Sequence, residues 1–290
     1  MLENLTEAEI REACRIRLEA LERWLRRLAH ERFSKIAVDY LVGIDPATGN
    51  RIIKAEIAKA AIKRRETEPK RFTRGTDALH LDELIAVICH PQQYDRFKEP
   101  LRVAFPQGRE VARETLLRLV APRNALAHAT AISIRQAERV ICYSGDVIDS
   151  LKEYYSNMGS AQEYDVPTIL RVTDSFGNSF ERSQLPQVHD GGIGMFLHNE
   201  CALHPGDVLT VEIDIDPSFD REEYSITWTS TKPKGISNAN STKVSVLIND
   251  THVGQRWNLQ CRVVSNRSWH RMQGGWDDFL LAFYKVLPPG

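Results

Sequence analysis

The pattern of apolar and polar positions divides the chain into a helical part followed by a strand-rich part. In the first part, apolar residues recur at steps of three or four, which is the spacing of a helix with one buried face. The longest such pattern runs from Thr6 to about Phe33 and begins with a capping box, in which Thr6 is followed three positions later by Glu9. Its apolar face consists of Ile10, Cys14, Leu18, Leu21, Leu25 and Leu28. We therefore predict one long amphipathic helix here.

Four further segments have helical spacing. They are residues 53–65, 78–89, 109–120 and, after a break, 123–155. Residues 36–53 contain an apolar run that fits either a helix or a short strand before the turn at 45–50, and we expect a helix. Ser133 and Gln136 form a second capping box ahead of the last helix. Together these segments predict an all-α domain, a helical bundle over residues 1–157.

The remainder of the chain has the period of β-strands. A small, polar stretch at 156–164 is typical of a linker, which we place at residues 158–166. Short β-branched or aromatic runs then alternate with Gly, Asn, Asp and Pro turns. These runs are 168–172, 208–215, 224–229, 243–248, 257–264 and 279–286. They predict an all-β sandwich over residues 167–290, so the fold class is multidomain, α followed by β.

Two of the predicted strands are expected to pair, since together they resemble the core pair of strands in immunoglobulin-like or PKD-like sandwiches. Segments 224–228 and 257–263 carry Trp228 and Cys261, which lie where that fold places its central Trp and its second Cys. The sequence departs from the pattern because there is no obvious first Cys to complete a disulfide. The resemblance thus implies the sandwich but not its disulfide.

Composition narrows the class of protein. The 290 residues, 42% hydrophobic and 27% charged, are typical of a globular protein of two ordinary domains, and the net charge of -1 gives no general attraction to nucleic acid. The five cysteines are an odd number without CxxC spacing, which argues against a disulfide framework or a zinc ribbon and favours the cytoplasm. No apolar run approaches the roughly 20 residues that span a bilayer, so we predict neither a signal peptide nor a membrane helix.

The most informative segment is Pro122-Arg123-Asn124-Ala125-Leu126-Ala127-His128. Proline is favoured at the first position of a helix, so we expect Pro122 to start one, with Arg123 and Asn124 in its first turn. Free backbone N–H groups at a helix start, together with a guanidinium, make a site for a phosphate. His128 lies about 40° around the helix from Asn124 but about 140° from Arg123. Bringing Arg123 and His128 to one phosphate therefore requires the length of the Arg side chain or a second subunit.

An Arg, a polar residue and a His after four intervening positions, in an all-helical setting, resemble the signature of HEPN domains. The resemblance covers roughly the first 155 residues. It implies RNA cleavage without metal, in which the substrate's 2′-hydroxyl attacks the adjacent phosphate and leaves a cyclic phosphate and a 5′-hydroxyl. It also implies that His128 is the general acid or base, Arg123 stabilises the phosphorane and Asn124 orients the phosphate or the motif helix. The alternative is that Arg123 pairs with a carboxylate and His128 is a buried, hydrogen-bonded core residue.

Three other groups of residues are candidates for binding. Lys63, Arg64, Arg65, Lys70, Arg71 and Arg74 form a basic stretch that fits either an RNA contact or a solvated helix face. Asp77, His80, Asp82, Glu83, Cys89 and His90 include metal-ligand types, but their spacing is not that of a zinc site, and we expect no metal. Trp269, Arg271 and Trp276 lie in a loop that either recognises a ligand or partner or is a tucked hairpin.

The HEPN resemblance implies an endoribonuclease that needs no cofactor and acts on RNA, tRNA included, as a homodimer through its helical domain. Fusions of this kind resemble bacterial toxins or anti-phage defence effectors, with the sandwich sensing a trigger or binding a regulator. The first alternative is a catalytically silent RNA-binding or dimerisation module with the sandwich as a partner-binding adaptor. A further alternative is a metal-dependent hydrolase, which would need His80 and His90 to converge with a carboxylate on one ion.

Overall fold

The computed structural model describes residues 5–69, 71–159, 165–188, 191–197, 202–230, 236 and 240–289. The chain divides into two compact units, residues 1–161 and 162–290. The first unit is helical and the second is built from β-strands. The predicted order of an α domain followed by a β domain is therefore confirmed. No helix among the described residues combines the length and hydrophobicity needed to cross a membrane.

The helical unit contains six α-helices in its described residues. They are α1 (Glu7–Ser34), α2 (Ala55–Thr67), α3 (Leu81–Ile88), α4 (Arg109–Leu117), α5 (Val120–Ala127) and α6 (Ile134–Asn157). The capping box of α1 is confirmed, because Thr6 Oγ1 accepts from the Glu9 N–H at 3.3 Å and Glu9 Oε2 accepts from the Thr6 N–H at 2.7 Å. Ser133 and Gln136 cap α6 in the same way. Helices α1 and α6 pack on each other, with Trp24 against Tyr155.

The helix expected within residues 36–53 is wrong. This segment consists of turns and one isolated antiparallel bridge between Ile44 and Arg51. The buried Asp45 organises it, since its side chain accepts from the Ala47 N–H at 3.1 Å and pairs with Arg96 at 2.7 Å. Gly49 has a positive φ of 69°. An Asx turn and a left-handed glycine stop the helix that the apolar run alone favoured.

The β unit contains two sheets. Their strands are β1 (Ile169–Asp174), β2 (Ser179–Glu181), β3 (Ile193–Phe196), β4 (Ala202–Leu203), β5 (Val208–Ile215), β6 (Tyr224–Ser230), β7 (Lys243–Leu247), β8 (Gly254–Ser265) and β9 (Asp278–Val286). One sheet has the order β2-β1-β5-β7, the other β3-β9-β8-β6, and β4 also pairs with β9. Buried side chains of both sheets form one apolar cluster. All six predicted strands are present, and the pattern missed the short strands β2, β3 and β4.

The predicted pairing of β6 with β8 is confirmed. The two strands are antiparallel, and Trp228 lies directly opposite Cys261, both within the apolar cluster. Strands β3 and β4, in contrast, run parallel to β9. A buried ion pair also holds the unit together, because Asp278 accepts from Arg182 at 2.6 Å and from the Ile169 N–H at 2.7 Å.

Candidate active site

Helix α5 carries the Arg123–His128 motif, but it begins earlier than the sequence predicts. It starts at Val120, so Pro122 is its third residue. Residues 118 and 119 keep helical dihedral angles after α4, and a proline within the first three positions of a helix loses no internal hydrogen bond. The Arg123 N–H already donates to the Leu119 carbonyl at 3.0 Å. The expected phosphate site on free backbone N–H groups of Arg123 and Asn124 is therefore absent, and only their side chains remain available.

The Arg123 side chain is held by a buried carboxylate on α1. Its Nε donates to Glu22 Oε1 at 2.9 Å, while Arg26 donates to Glu22 Oε2 at 2.6 Å. Glu22 is only 6% exposed, whereas the Arg123 side chain is 27% exposed. One carboxylate thus fixes two guanidinium groups and leaves a net positive charge beside solvent. Nη2 of Arg123 has no hydrogen-bond partner among the described residues, so this end of the guanidinium can bind an anion.

Sequence reasoning missed Glu22, which was not among the residues that it singled out. A signal was nevertheless present. Glu22 directly follows Leu21 of the apolar face, and it lies four residues before Arg26, the spacing at which side chains on a helix meet. A carboxylate at the margin of an apolar face needs a cationic partner from elsewhere in the fold, and Arg123 is that partner.

We expect Glu22→Gln to destabilise the helical unit by about 1–3 kcal/mol, because it leaves Arg26 and Arg123 side by side without the carboxylate between them. The measurement is denaturant unfolding of the full chain followed by the helical circular dichroism signal. Glu19→Gln is the matched control on the same helix, since Glu19 pairs with Arg15 on an exposed surface. That variant should change stability by less than about 0.5 kcal/mol. Equal effects of the two substitutions would contradict a special role for Glu22.

His128 caps the C-terminal end of α5 and is exposed. Its position is set by a Schellman motif, in which the Thr130 N–H donates to the Ala125 carbonyl at 2.8 Å and the Ala129 N–H to the Leu126 carbonyl at 3.2 Å. Arg11 also donates to the Ala129 carbonyl, at 2.9 Å. The His128 imidazole has no hydrogen-bond partner among the described residues. It is therefore accessible to a substrate or to a second chain.

Ala129 adopts a left-handed conformation, with φ of 54°, at the position of the motif where glycine is preferred. We expect Ala129→Gly to stabilise the helical unit by about 1 kcal/mol, because it relieves the steric cost of that conformation. Thermal and denaturant unfolding measure the change. Ala127→Gly, an exposed position still inside α5, should instead destabilise the unit by up to about 1 kcal/mol. A loss of stability in both variants would contradict strain at Ala129.

Each half of the motif therefore has a different environment. Arg123 is paired with a carboxylate, as the alternative interpretation expected, but His128 is exposed and not a core residue. The structure describes no hydrogen bond between the two side chains. Asn124 is exposed beside Arg123, with its Oδ1 at 3.5 Å from Nη1. Within the described chain, Arg123 and Asn124 share one site, and His128 stands apart.

Most of the predicted RNA-contacting residues have protein partners. Arg64 binds Glu83 through both terminal nitrogens at 2.6 and 2.9 Å, Arg71 binds Glu68 at 3.1 Å, and Arg74 binds Asp77 at 2.8 Å. The Arg65 guanidinium donates to the carbonyls of residues 72 and 73. Lys63 is exposed, and Lys70 lies outside the described residues. Contact with RNA stays a prediction for all six residues of this stretch.

Two of the acidic residues between 77 and 90 pair with arginines of the helical unit. Asp77 pairs with Arg74, and Glu83 pairs with Arg64 and accepts from the His80 N–H at 2.9 Å. In the part of the chain that the structure describes, no three His, Cys, Asp or Glu residues lie close enough together to hold a metal ion. Convergence of His80 and His90 on one ion, which the metal-dependent alternative requires, is not found there.

The loop of Trp269, Arg271 and Trp276 is folded back on the β unit. The fully buried Asp277 accepts from the N–H groups of Ser265 at 2.6 Å and Arg271 at 2.9 Å. Both tryptophans are half-buried, with Arg262 over the Trp276 ring at 4.5 Å and Arg267 over the Trp269 ring at 5.1 Å. The tucked-hairpin alternative describes this geometry. Recognition of a partner by these three residues stays a prediction.

No protein-family model matches the chain, and the search of curated proteins found no match either. The function of the chain must therefore be inferred from the Arg123–His128 motif and from the contacts of its residues within the helical unit.

Proposed function

We propose that the chain is a metal-independent endoribonuclease of the HEPN type, with an immunoglobulin-like or PKD-like sandwich that controls it. One observation carries the proposal. Arg123 is fixed by the buried Glu22 with one end of its guanidinium free, and the helix that carries it ends in the exposed His128. An oriented cation and an accessible imidazole are the two groups that cleavage by a 2′-hydroxyl needs from a protein.

The reaction is an internal transfer of the phosphoryl group. The 2′-hydroxyl oxygen of RNA bonds to the adjacent phosphorus, its proton leaves, and the bond from phosphorus to the 5′-oxygen breaks. The 5′-oxygen takes up a proton, so that the products are a 2′,3′-cyclic phosphate and a 5′-hydroxyl. Arg123 stabilises the negative charge of the phosphorane, His128 transfers a proton, and the Asn124 side chain orients the phosphate.

A homodimer that joins through the helical unit would complete the site. Arg123 is directed to Glu22 on α1, whereas His128 lies at the far end of α5, about 140° around the helix axis and about 7.5 Å along it. In a two-fold dimer each partner presents the same surface, so His128 of one chain can face Arg123 of the other. Two equivalent sites result.

The biological role that fits this activity is growth arrest by cutting RNA, tRNA included, as a bacterial toxin or anti-phage effector. The β unit would then sense a trigger or bind a regulator, with the loop of Trp269, Arg271 and Trp276 as its recognition site.

The second candidate function is that of a catalytically silent RNA-binding or dimerisation module. The Glu22–Arg123 ion pair favours it, because a purely structural arginine would make the same contact.

The test is incubation of total RNA and tRNA with the purified full chain in EDTA, with the ends of the products mapped. We expect cleavage that persists in EDTA and leaves cyclic phosphate and 5′-hydroxyl ends. Binding of RNA without cleavage would favour the silent module. Cleavage that requires added divalent metal would contradict the proposed chemistry.

A further inference from the structure

We propose that His80 is a second proton-transfer residue of the cleavage site, acting beside Arg123 of the same chain. The inference rests on the proposed ribonuclease activity and assigns a base to it. His80 accepts the proton of the 2′-hydroxyl, and His128 gives a proton to the 5′-oxygen. The sequence had offered His80 only as a metal ligand, a role for which the described residues supply no partners.

A continuous set of hydrogen bonds links Arg123 to the backbone carbonyl of Leu79, the residue before His80. From Arg123 the path runs through Glu22 to Arg26, with contacts of 2.9 and 2.6 Å. Arg26 in turn donates to the carbonyl of Leu79 at 2.9 Å, and Leu79 immediately precedes His80. The buried side of the site thus ties α1, α5 and the start of α3 to one another. These contacts fix the backbone at His80 relative to the Arg123 guanidinium.

The His80 side chain is available for chemistry. The residue is exposed and sits at the N-cap of α3, where its own N–H is satisfied by Glu83. Its imidazole has no hydrogen-bond partner among the described residues. It is also flanked by cations, since Arg64 donates to the Ala78 carbonyl at 2.7 Å and Arg26 to the Leu79 carbonyl. Each of these two guanidinium groups is also paired with a carboxylate, Arg64 with Glu83 and Arg26 with Glu22.

The partial burial of His80 favours the neutral imidazole that a general base requires. Partial desolvation lowers the pKa of His80, and the Arg64 and Arg123 guanidinium groups lower it further, while the Glu83 and Asp82 carboxylates oppose them. A histidine with a lowered pKa is unprotonated at neutral pH and can accept a proton from the 2′-hydroxyl.

With both histidines the proton balance of the reaction closes. His80 takes one proton as the bond from the 2′-oxygen to phosphorus forms, and the protonated His128 supplies one as the bond to the 5′-oxygen breaks. The two imidazoles then exchange protons with water and return to their starting states. No metal ion or other co-reactant is consumed.

The experiment compares wild type, His80→Asn and His90→Asn in single-turnover cleavage of a short RNA in EDTA, over about pH 5 to 8. Asparagine is a preferred N-cap residue, so His80→Asn keeps the start of α3, and thermal unfolding verifies this. His90→Asn is the matched control, because it replaces a half-buried histidine of the same unit that lies outside the proposed site. Wild type should lose activity as the pH falls through the lowered pKa of His80.

We expect His80→Asn to cleave roughly 10²-fold more slowly, to lose this acid limb of the pH profile, and to bind a 2′-O-methyl RNA as tightly as wild type. His90→Asn should match wild type in all three. Unchanged cleavage and an unchanged pH profile in His80→Asn would overturn the role of His80 and leave the ribonuclease standing. A wild type that does not cleave RNA at all would overturn both.

Discussion

Replacing His128 with alanine is expected to slow RNA cleavage by roughly 10²–10⁴-fold, the loss typical of a general acid or base. The fold should not change, because the imidazole is exposed and makes no hydrogen bond within the described structure. The C-cap is built from backbone contacts of Ala129 and Thr130, which alanine at 128 leaves in place. The measurement is the single-turnover rate on a defined RNA, beside thermal unfolding of the same preparation.

Rescue with free imidazole separates a chemical role of His128 from a structural one. An exposed site admits a small proton donor from solution, so added imidazole, in its protonated form, should restore part of the activity of His128→Ala. Added imidazole should not restore the activity of Arg123→Ala, because this variant lacks the guanidinium that stabilises the phosphorane. Unchanged cleavage by His128→Ala would contradict the proposed mechanism, and a lowered unfolding temperature would indicate that the histidine supports the fold instead.

Much of this fold could be predicted from periodicity, because its elements are long and their faces differ in polarity. Helix α1 and strands β5 to β9 bury alternating or helically spaced apolar residues, and the capping boxes at Thr6 and Ser133 mark where two helices begin. The segment 36–53 could not be predicted in this way. Its turns depend on the Asp45–Arg96 ion pair, which joins residues 51 positions apart.

The residues of the candidate site could be predicted from the motif, but their contacts in the folded chain could not. The spacing of Arg123 and His128 gave their angular separation on a helix, whereas the start of α5 depends on its junction with α4 and was misplaced at Pro122. The partners of Arg123 come from α1, and Glu22 lies 101 residues away in sequence. The local pattern indicates that Glu22 needs a cationic partner, but it does not indicate which distant residue supplies one. The hydrogen-bonded path from Arg123 to the backbone carbonyl before His80 likewise joins residues far apart in sequence.

A mixture of Arg123→Ala and His128→Ala chains provides the sharpest test of a site shared between subunits. Each variant alone should lose roughly 10² in rate or more, since both of its sites lack one group. In a mixed dimer, one site lacks both groups, but the other takes Arg123 from the His128→Ala chain and His128 from the Arg123→Ala chain. That site is intact, so a purified mixed dimer should recover about half of the wild-type activity.

The control is a mixed dimer in which both substitutions affect residues that one chain contributes to the same site. Glu22, Arg123 and, by our inference, His80 belong to one chain's half of the site, so mixed dimers of Arg123→Ala with His80→Asn contain no intact site and should stay inactive. Recovery in that pair would contradict the assignment of His80 and Arg123 to one half. Failure of the Arg123→Ala and His128→Ala pair to recover, in dimers verified by mass, would mean that both groups act within one chain. In that case the Arg123 guanidinium would have to break its ion pair with Glu22 to reach His128. The ion pair would then hold Arg123 in an inactive position and would not orient it for catalysis.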